Sequence, residues 1–294
     1  MNNTPSSQDP LVWITDVVRA FCDGPENRLY PAEAALNQAP ERAWGEPLLG
    51  VSSGNDPVYA QLETAVGPFH WTPQEAFALA FPDTPVRAEE LSVICWVLPQ
   101  TPATRQDNRA QTRYPAERWA RSRIYGEEFN NRLRGHVADA LVAQGYPAVA
   151  PVLLPQWRTV ASDPYVFAST WSERHAAYAS GLGTFGLCDG LITPLGKAVR
   201  LGSVVARITL APTPRPYAHH RAYCPFYATP RACGRCIARC PAGALSEHGH
   251  DKTKCRAYAV AVVTEYVKTY YGFDGYGCGL CQTGVPCESR IPGA

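Results

Sequence analysis

Eight of the eleven cysteines of this 294-residue chain lie between positions 224 and 287, and most of them fall into two short motifs. A CxxCxxxCP run occupies 233–241, and a CxxC pair occupies 278–281. In bacterial two-cluster ferredoxins a cysteine run ends in the same way, and the cysteine before the proline ligates the other iron–sulfur cluster. Two [4Fe–4S] clusters with four cysteines each need eight thiolates. The cysteines therefore predict a protein that holds two such clusters.

Because the cysteine before the proline ligates the other cluster, the run also predicts which cysteines share a cluster. The first predicted set is Cys224, Cys233, Cys236 and Cys287, and the second predicted set is Cys240, Cys255, Cys278 and Cys281. The first set departs further from the ferredoxin pattern. Its first two members are nine positions apart, and a proline stands before its last member instead of after it.

Three other uses of the cysteines fit the sequence less well. A disulfide framework belongs to an oxidising compartment, but the chain opens without the basic start and apolar run of a signal peptide, which predicts a reducing cytoplasm. A zinc ribbon needs two CxxC pairs separated by about 15 to 20 residues, far less than the gap from Cys236 to Cys278. Unrelated buried thiols would not fall into CxxC and CxxxCP motifs together.

Composition and charge exclude several partners. With 46% hydrophobic residues the chain can bury a sizeable core, and no apolar run reaches the ~20 residues that a membrane span needs. The net charge of +1 gives no general reason to expect nucleic acid or an anionic membrane. One segment is locally basic, because residues 105–134 hold eight arginines and four acidic residues. This segment predicts either a solvated helix face, which is the commoner case, or a surface for an anionic ligand.

Apolar periodicity and turn residues predict a mixed helix-and-strand part before the cysteines. Helices are predicted over 56–67, from the Thr72 N-cap, over 115–144, and from the Ser172 N-cap to about 181. Strands are predicted over 91–99 and 146–155, a polar loop over 100–114, and a β-hairpin over 195–210 with Gly196 in its turn.

The proline-rich stretch 211–220 predicts a boundary between two domains. The predicted division has an N-terminal segment of unclear role at 1–45, an α/β domain at 46–218 and a cysteine domain at 219–294.

Gly181, Gly183 and Gly186 form a GxGxxG motif, but its context is wrong for a dinucleotide site. A dinucleotide fingerprint follows a strand and opens a helix, whereas here a helical segment precedes the glycines and an extended segment follows them. Glycine also lets the backbone approach a large ligand closely, which remains the hypothesis for this motif.

Several segments together carry a resemblance to a known superfamily. The stretch 171–190, WSERHAAYASGLGTFGLCDG, combines an ER pair with GLGxxG, and the motifs CGRCIARCPAGAL and GYGCGLCQ follow it. VGPFHWTPQEAF at 66–77 and VLPQ at 97–100 agree as well. Over about residues 45–294 the chain resembles the epoxyqueuosine reductase and reductive dehalogenase superfamily.

The resemblance implies an α+β fold in which a nitroreductase-like, corrinoid-binding α/β domain precedes a ferredoxin-like domain with two [4Fe–4S] clusters. It also implies cobalamin as a cofactor and an external one-electron donor such as a ferredoxin or a flavodoxin. The predicted function is a cytoplasmic iron–sulfur oxidoreductase that passes electrons through the clusters to cobalamin for the reduction of a small molecule. The alternative is a non-corrinoid electron-transfer protein that serves a partner enzyme.

Departures from the family narrow the predicted substrate. Epoxyqueuosine reductases carry a catalytic aspartate six residues before the glutamate of their ER pair, and Phe167 stands at that position here. The chain ends seven residues after Cys287, without the C-terminal repeat domain that helps those enzymes to hold tRNA. The twin-arginine export signal of respiratory dehalogenases is absent as well. We therefore expect a cytoplasmic protein that acts on a small molecule, with no tRNA and no membrane as partner.

The residues before and within the glycine motif form the candidate site that the resemblance implies. Candidate catalytic groups are Tyr165, Glu173, Arg174, His175 and Tyr178, and candidate cofactor-binding residues are Trp171, Gly181, Gly183 and Gly186. The ER pair is either catalytic or a structural ion pair. His175 and Tyr178 lie one helical turn apart, so they either relay a proton or pack together. Cys188 is either an ordinary thiol, or a ligand or nucleophile.

Overall fold

The computed structural model of the protein describes residues 9–31, 41–229 and 232–293, so the predicted segment 1–45 is described only in part. The helices are α1 (Pro10–Asp23), α2 (Pro57–Ala65), α3 (Pro73–Ala80), α4 (Pro102–Ala110), α5 (Glu117–Ala143), α6 (Glu173–Ala179), α7 (Pro225–Ala228), α8 (Arg235–Ala238), α9 (Lys252–Ala257) and α10 (Val263–Tyr271). The strands are β1 (Leu48–Ser53), β2 (Ser92–Pro99), β3 (Ala148–Val149), β4 (Thr159–Ser162), β5 (Val166–Ser169), β6 (Thr184–Phe185), β7 (Leu191–Ile192), β8 (Val199–Ala206), β9 (Leu245–Ser246) and β10 (Gly249–His250).

A four-stranded antiparallel sheet in the order β1-β2-β8-β3 forms the centre of the molecule. Every residue of β2 is buried, because alternate side chains enter two different cores. One face of the sheet packs against α1 and α5, and the other face packs against α2, α3 and α6. The predicted strand over 91–99 is therefore confirmed, and the fold is a mixed helix-and-sheet fold.

The predicted hairpin over 195–210 is wrong. β8 is one long strand whose neighbours, β2 and β3, both come from earlier in the chain. Gly196 does lie in a tight turn with Thr193, at a φ of +81°. A Cβ atom at Gly196 would lie 2.3 Å from the carbonyl oxygen of Glu288, so this turn packs closely against the end of the cysteine region. The close approach places the next residue, Lys197, among the cysteines.

Four of the predicted helices are present in the structure. α3 begins with a capping box between Thr72 and Glu75, and α2 and α5 lie within their predicted ranges. α6 begins after Ser172 as expected, although the Ser172 side chain does not cap it.

Two local predictions are wrong. The polar loop over 100–114 contains α4, whose N-terminus is capped by the Thr101 side chain and followed by Pro102. The predicted strand over 146–155 shortens to β3, because a 3₁₀ turn begins at Pro151. In both places a cap or a proline decides the structure, and apolar periodicity does not.

The cysteine region packs on α4 and α5. The Arg239 guanidinium donates hydrogen bonds to the carbonyl oxygens of Gln111 at 2.7 Å, Asn108 at 3.1 Å and Thr283 at 3.0 Å. The Tyr271 hydroxyl donates to the carbonyl oxygen of Pro115 at 2.9 Å. These bonds join the two parts of the molecule along one interface. Within the described ranges, no helix has both the length and the apolar character needed to cross a bilayer.

Candidate functional site

A cavity of about 930 Å³ lies between the sheet-containing part and the cysteine region. Its walls come from β4, β5 and α6 on one side, and from α9 and residues 276–279 on the other. Small-molecule and cofactor sites have volumes of about 300–1,000 Å³, so this cavity is of the size that holds a cofactor.

The lining of the cavity carries more positive than negative side chains. Asp189 is its single acid among the described residues. The basic side chains in the lining are Arg123, Arg174, Arg200, Arg221, Lys252 and Arg256. Arg200 is paired with Glu127, which lies outside the lining. Walls with an excess of one charge attract ligands of the opposite charge.

Two of these cations flank Phe167, where the resemblance predicts an aspartate. Lys252 Nζ lies 4.7 Å from the centroid of the Tyr165 ring and donates a hydrogen bond of 3.2 Å to the Phe167 carbonyl oxygen. The Arg256 guanidinium lies 5.2 Å from the centroid of the Phe167 ring. Burial lowers the pKa of Lys252, and Arg174 adds to this effect while Asp189 opposes it.

His175 lies in the cavity wall and is neutral. Burial, followed by repulsion from His70 and Arg174, lowers the pKa of His175 to about 3. Its Nδ1 atom lies 2.8 Å from the Ser172 hydroxyl, which explains why Ser172 does not cap α6. Tyr178, one turn later, lines the same cavity. The structure thus brings both side chains to one wall, as uncharged partners for a ligand.

Asp189 and His250 form an ion pair in the lining of the same cavity, with 2.9 Å between Oδ2 and Nδ1. Hydrogen bonds to Asp189 and to Cys255 raise the pKa of His250 to about 10. His250 is therefore positively charged at neutral pH, and its charge is balanced by Asp189.

A first group of cysteines surrounds the ammonium group of Lys197, and we call it the lysine group. Its members are Cys188, Cys224, Cys236, Cys281 and Cys287. Lys197 is 3% exposed, and its Nζ atom donates to Cys188 Sγ at 3.3 Å. Burial lowers the pKa of Lys197, but the attraction of the surrounding sulfurs outweighs it and raises that pKa. A hydrogen bond from Cys281 in turn lowers the pKa of Cys188.

No carboxylate among the described residues pairs with Lys197. A buried ammonium group needs an anionic partner, because its desolvation is costly. Cys188, whose pKa is lowered, supplies that charge, whereas burial raises the pKa of Cys236 and Cys287. Thiolates are also the ligands of iron–sulfur clusters. The lysine group therefore fits a negatively charged cluster.

A second group consists of Cys240, Cys255 and Cys278, and we call it the histidine group because His250 contacts Cys255. Burial raises the pKa of Cys278, with Cys240 and Cys255 adding to the effect. Cys255 and Cys278 line the cavity. The thiols of this group fit a cluster that faces the cavity.

The two groups differ in part from the two predicted ligand sets. Cys281, predicted beside Cys278, contacts Cys188 and lies between the groups. Cys233 is absent from the packed cluster that contains Cys224, Cys236 and Cys287. Cys188 joins that cluster without belonging to either predicted set. None of the eleven cysteines forms a disulfide, and no set of described side chains is arranged to bind a single metal ion.

Glu173 lies in a buried ion-pair network and outside the cavity lining. Its Oε1 atom is 2.9 Å from Nε of Arg134, and its Oε2 atom accepts a hydrogen bond of 2.5 Å from Ser203. Arg134, which is 2% exposed, also pairs with Glu127. Glu173 therefore pairs with α5, whereas Arg174 lines the cavity.

Trp171 and the first two glycines also lie outside the cavity lining. The Trp171 indole is buried and donates to Ser203 at 3.0 Å. A Cβ atom at Gly181 would lie 2.7 Å from the Pro214 carbonyl oxygen, and one at Gly183 would lie 2.2 Å from the Ile192 carbonyl oxygen. These two glycines permit close contact with the protein's own backbone. Gly186 and Tyr165 do line the cavity.

Sequence reasoning missed Lys197, Lys252, Arg256 and His250. One signal was present, because lysine occurs at only four positions and two of them are in this site. A lone lysine in the apolar stretch before β8 also needs a buried partner. Which partner it finds depends on the tight turn at Gly196, and that contact is tertiary.

Comparison with known proteins gives a consistent result. No protein-family model matches the chain. Epoxyqueuosine reductases of Bacillus anthracis and Bacillus cereus are each 30% identical to it over 120 residues, which is 39% of this chain and 29% of theirs. A solved catabolic reductive dehalogenase in complex with 3-bromo-4-hydroxybenzoic acid has a TM-score of 0.51 at 14% identity, over 95% of this chain and 36% of that one.

The structural likeness shows a fold shared with a reductive dehalogenase. The sequence matches add a partial similarity to epoxyqueuosine reductases. The match spans about three tenths of the length of the curated relatives.

Proposed function

We propose that the protein is a cytoplasmic iron–sulfur oxidoreductase that reduces a small molecule at a corrinoid held in the cavity. The observation that carries this proposal is that the cysteines and the candidate catalytic side chains line one cavity. Cys188 of the lysine group and two members of the histidine group line the same cofactor-sized cavity that His175 and Tyr178 line. An electron-carrying centre would thus adjoin a site with room for a cofactor and a substrate.

The lysine and histidine groups together contain eight cysteines, which would ligate the two [4Fe–4S] clusters of a ferredoxin-like region at 219–294, with Cys188 contributed from before that region. The part at 46–218 would be the nitroreductase-like domain that binds the corrinoid and the substrate. When bound, the corrinoid supplies a low-valent cobalt centre with chemistry that side chains lack. The relatives' names, epoxyqueuosine reductase and reductive dehalogenase, support a reductive reaction.

The chain's own residues would orient the reactants and control their charge. His175 stays neutral at physiological pH, so it offers a hydrogen bond without adding charge. The hydroxyl groups of Tyr165 and Tyr178 are the candidate proton donors in the lining. Lys197 would hold positive charge beside one cluster. An external one-electron donor such as a ferredoxin or a flavodoxin would supply the electrons.

Anaerobic purification with iron, sulfide and corrinoid assays tests this proposal. We expect about eight irons per chain, and binding of hydroxocobalamin that changes its visible absorption spectrum. About eight irons without affinity for cobalamin under reducing conditions would instead support a non-corrinoid electron-transfer protein that serves a partner enzyme. Absence of iron would reject both functions.

A further inference from the structure

We propose that the substrate carries an oxyanion, a carboxylate or a phosphate, and that Lys252, Arg256 and Arg174 bind it beside Phe167. This inference rests on the proposed function, because it names the substrate class of the same cavity. The site is built from cations that have no carboxylate partner.

Asp189 attracts Lys252 and Arg174, but among the described residues none of the three cations is paired with a carboxylate. Arg200 pairs with Glu127, and Lys254 on the outer face of α9 pairs with Asp251. Among the described residues, no salt bridge of this kind is formed by Lys252, Arg256 or Arg174. The nearest acid, Asp189, is already paired with His250.

The cations are held in position by local structure. Lys252 begins α9 and Arg256 follows four residues later, so they project from the same face of the helix. Tyr165 and Phe167 on β5 and the turn before it provide aromatic faces for both cations, at 4.7 Å and 5.2 Å. Such contacts stabilise a cation without neutralising it. The two groups are therefore placed for a ligand before that ligand arrives.

Phe167 explains why the charge remains free. A carboxylate at this position would lie next to Lys252 and Arg256 and would pair with them. The phenyl ring leaves both cations available, so the ligand has to supply the negative charge. Fixed cations facing a partly buried cavity bind carboxylate and phosphate through charge-assisted hydrogen bonds.

Oxyanions could reach this site from two sources, the substrate or the nucleotide phosphate of a corrinoid. Binding measurements on the anaerobically purified full chain separate them. The anion probes are benzoate and inorganic phosphate, and benzamide is the neutral match of benzoate. The corrinoid probes are hydroxocobalamin and cobinamide, which lacks the nucleotide loop. Titration calorimetry follows all five.

Wild-type protein should bind benzoate at least about tenfold more tightly than benzamide. Lys252→Gln combined with Arg256→Gln should weaken benzoate and phosphate binding by about tenfold or more, and should leave benzamide and both corrinoids unchanged. The matched control, Lys254→Gln with Lys268→Gln, removes the same formal charge from two exposed ion pairs and should change none of these affinities.

Several results would overturn the inference. One is failure of the wild type to bind either anion at about 10 mM. Another is a double variant that loses affinity for hydroxocobalamin but not for cobinamide, which would assign the site to the corrinoid phosphate. A third is loss of iron in the double variant, which would assign the cations to a cluster. If the proposed function is wrong, the wild type will bind neither corrinoid. That result differs from all three results above.

Discussion

The lysine group and the histidine group both consist of cysteines, but their electrostatic surroundings differ. In the lysine group Cys188, Cys224, Cys236 and Cys287 are each no more than 8% exposed, and a buried cation lies among them. The histidine group is half-buried and adjoins an ion pair whose two charges cancel, and two of its members, Cys255 and Cys278, line the cavity. Since net charge, hydrogen bonds to sulfur and exposure set the potential of a cluster, two chemically equal clusters would differ here.

The largest expected effect comes from the cysteines themselves. The sequence pattern assigns Cys281 and Cys287 to different clusters, whereas the structure places both with Cys188. Cys188→Ser and Cys287→Ser should each remove about four of about eight irons and abolish the same electron paramagnetic resonance signal. Cys95→Ser, a change to a buried thiol in the central sheet, is the control and should retain all the iron.

The behaviour of Cys281→Ser decides between the two assignments. Loss of the signal that Cys287→Ser removes would support the grouping around Lys197. Loss of the other signal would restore the crossed ferredoxin pattern. Full iron content in Cys188→Ser would show that Cys188 is a neighbour of the cluster and not a ligand.

The next effect concerns the charge that distinguishes the groups. Lys197→Met removes the buried cation and should lower the reduction potential of one cluster only, because the reduced form loses its nearest positive charge. Leaving buried negative charge without its partner should also cost about 3–5 kcal/mol of unfolding free energy. Redox titration and chemical denaturation measure the two effects. Lys268→Met, at an exposed site, should change neither, and an equal shift of both clusters would remove the proposed difference between them.

The smallest effect concerns His70, which belongs to neither group. His70 is 2% exposed, neither ring nitrogen makes a hydrogen bond, and burial lowers its pKa to about 4. As pH falls through about 6.5, His70 therefore binds a proton in the unfolded chain but not in the folded chain, which lowers the stability of the folded state. Wild-type protein should lose up to about 3 kcal/mol more stability than His70→Phe between pH 6.5 and 4. Parallel curves for the two proteins would contradict the pKa of His70, and the spectra of both cysteine groups should be unaffected.

The parts of the fold that could be predicted were those with local signals. The β2 strand is apolar at nearly every position because both of its faces are covered, and Thr72 and Glu75 form a capping box within one turn. α4 escaped prediction because its exposed face is polar and only Thr101 and Pro102 marked its start. The pairing of β8 with β2 escaped because register between distant strands is a property of the whole chain.

The site shows the same division. The cysteine motifs predicted the region that would hold the clusters, because ligand spacing is local. Lys197 and Cys188 were not assigned to it, because they arrive from the other part of the chain through the turn at Gly196. Glu173 was expected beside Arg174, yet α5 supplies its partner, Arg134. Side chains at adjacent positions on a helix point in different directions, so two oppositely charged residues that are adjacent in sequence do not form an ion pair with each other.

Arg239 has a consequence for how this protein could be engineered. It immediately precedes Cys240, and its guanidinium closes the C-terminal end of α4 through the carbonyl oxygens of Asn108 and Gln111. A fragment that began at residue 219 would keep the eight cysteines between positions 224 and 287. It would lose both acceptors, Lys197 and Cys188. The cysteine region is therefore not a cassette for grafting onto another enzyme. A transplant would have to bring α4 and the Gly196 turn along with it.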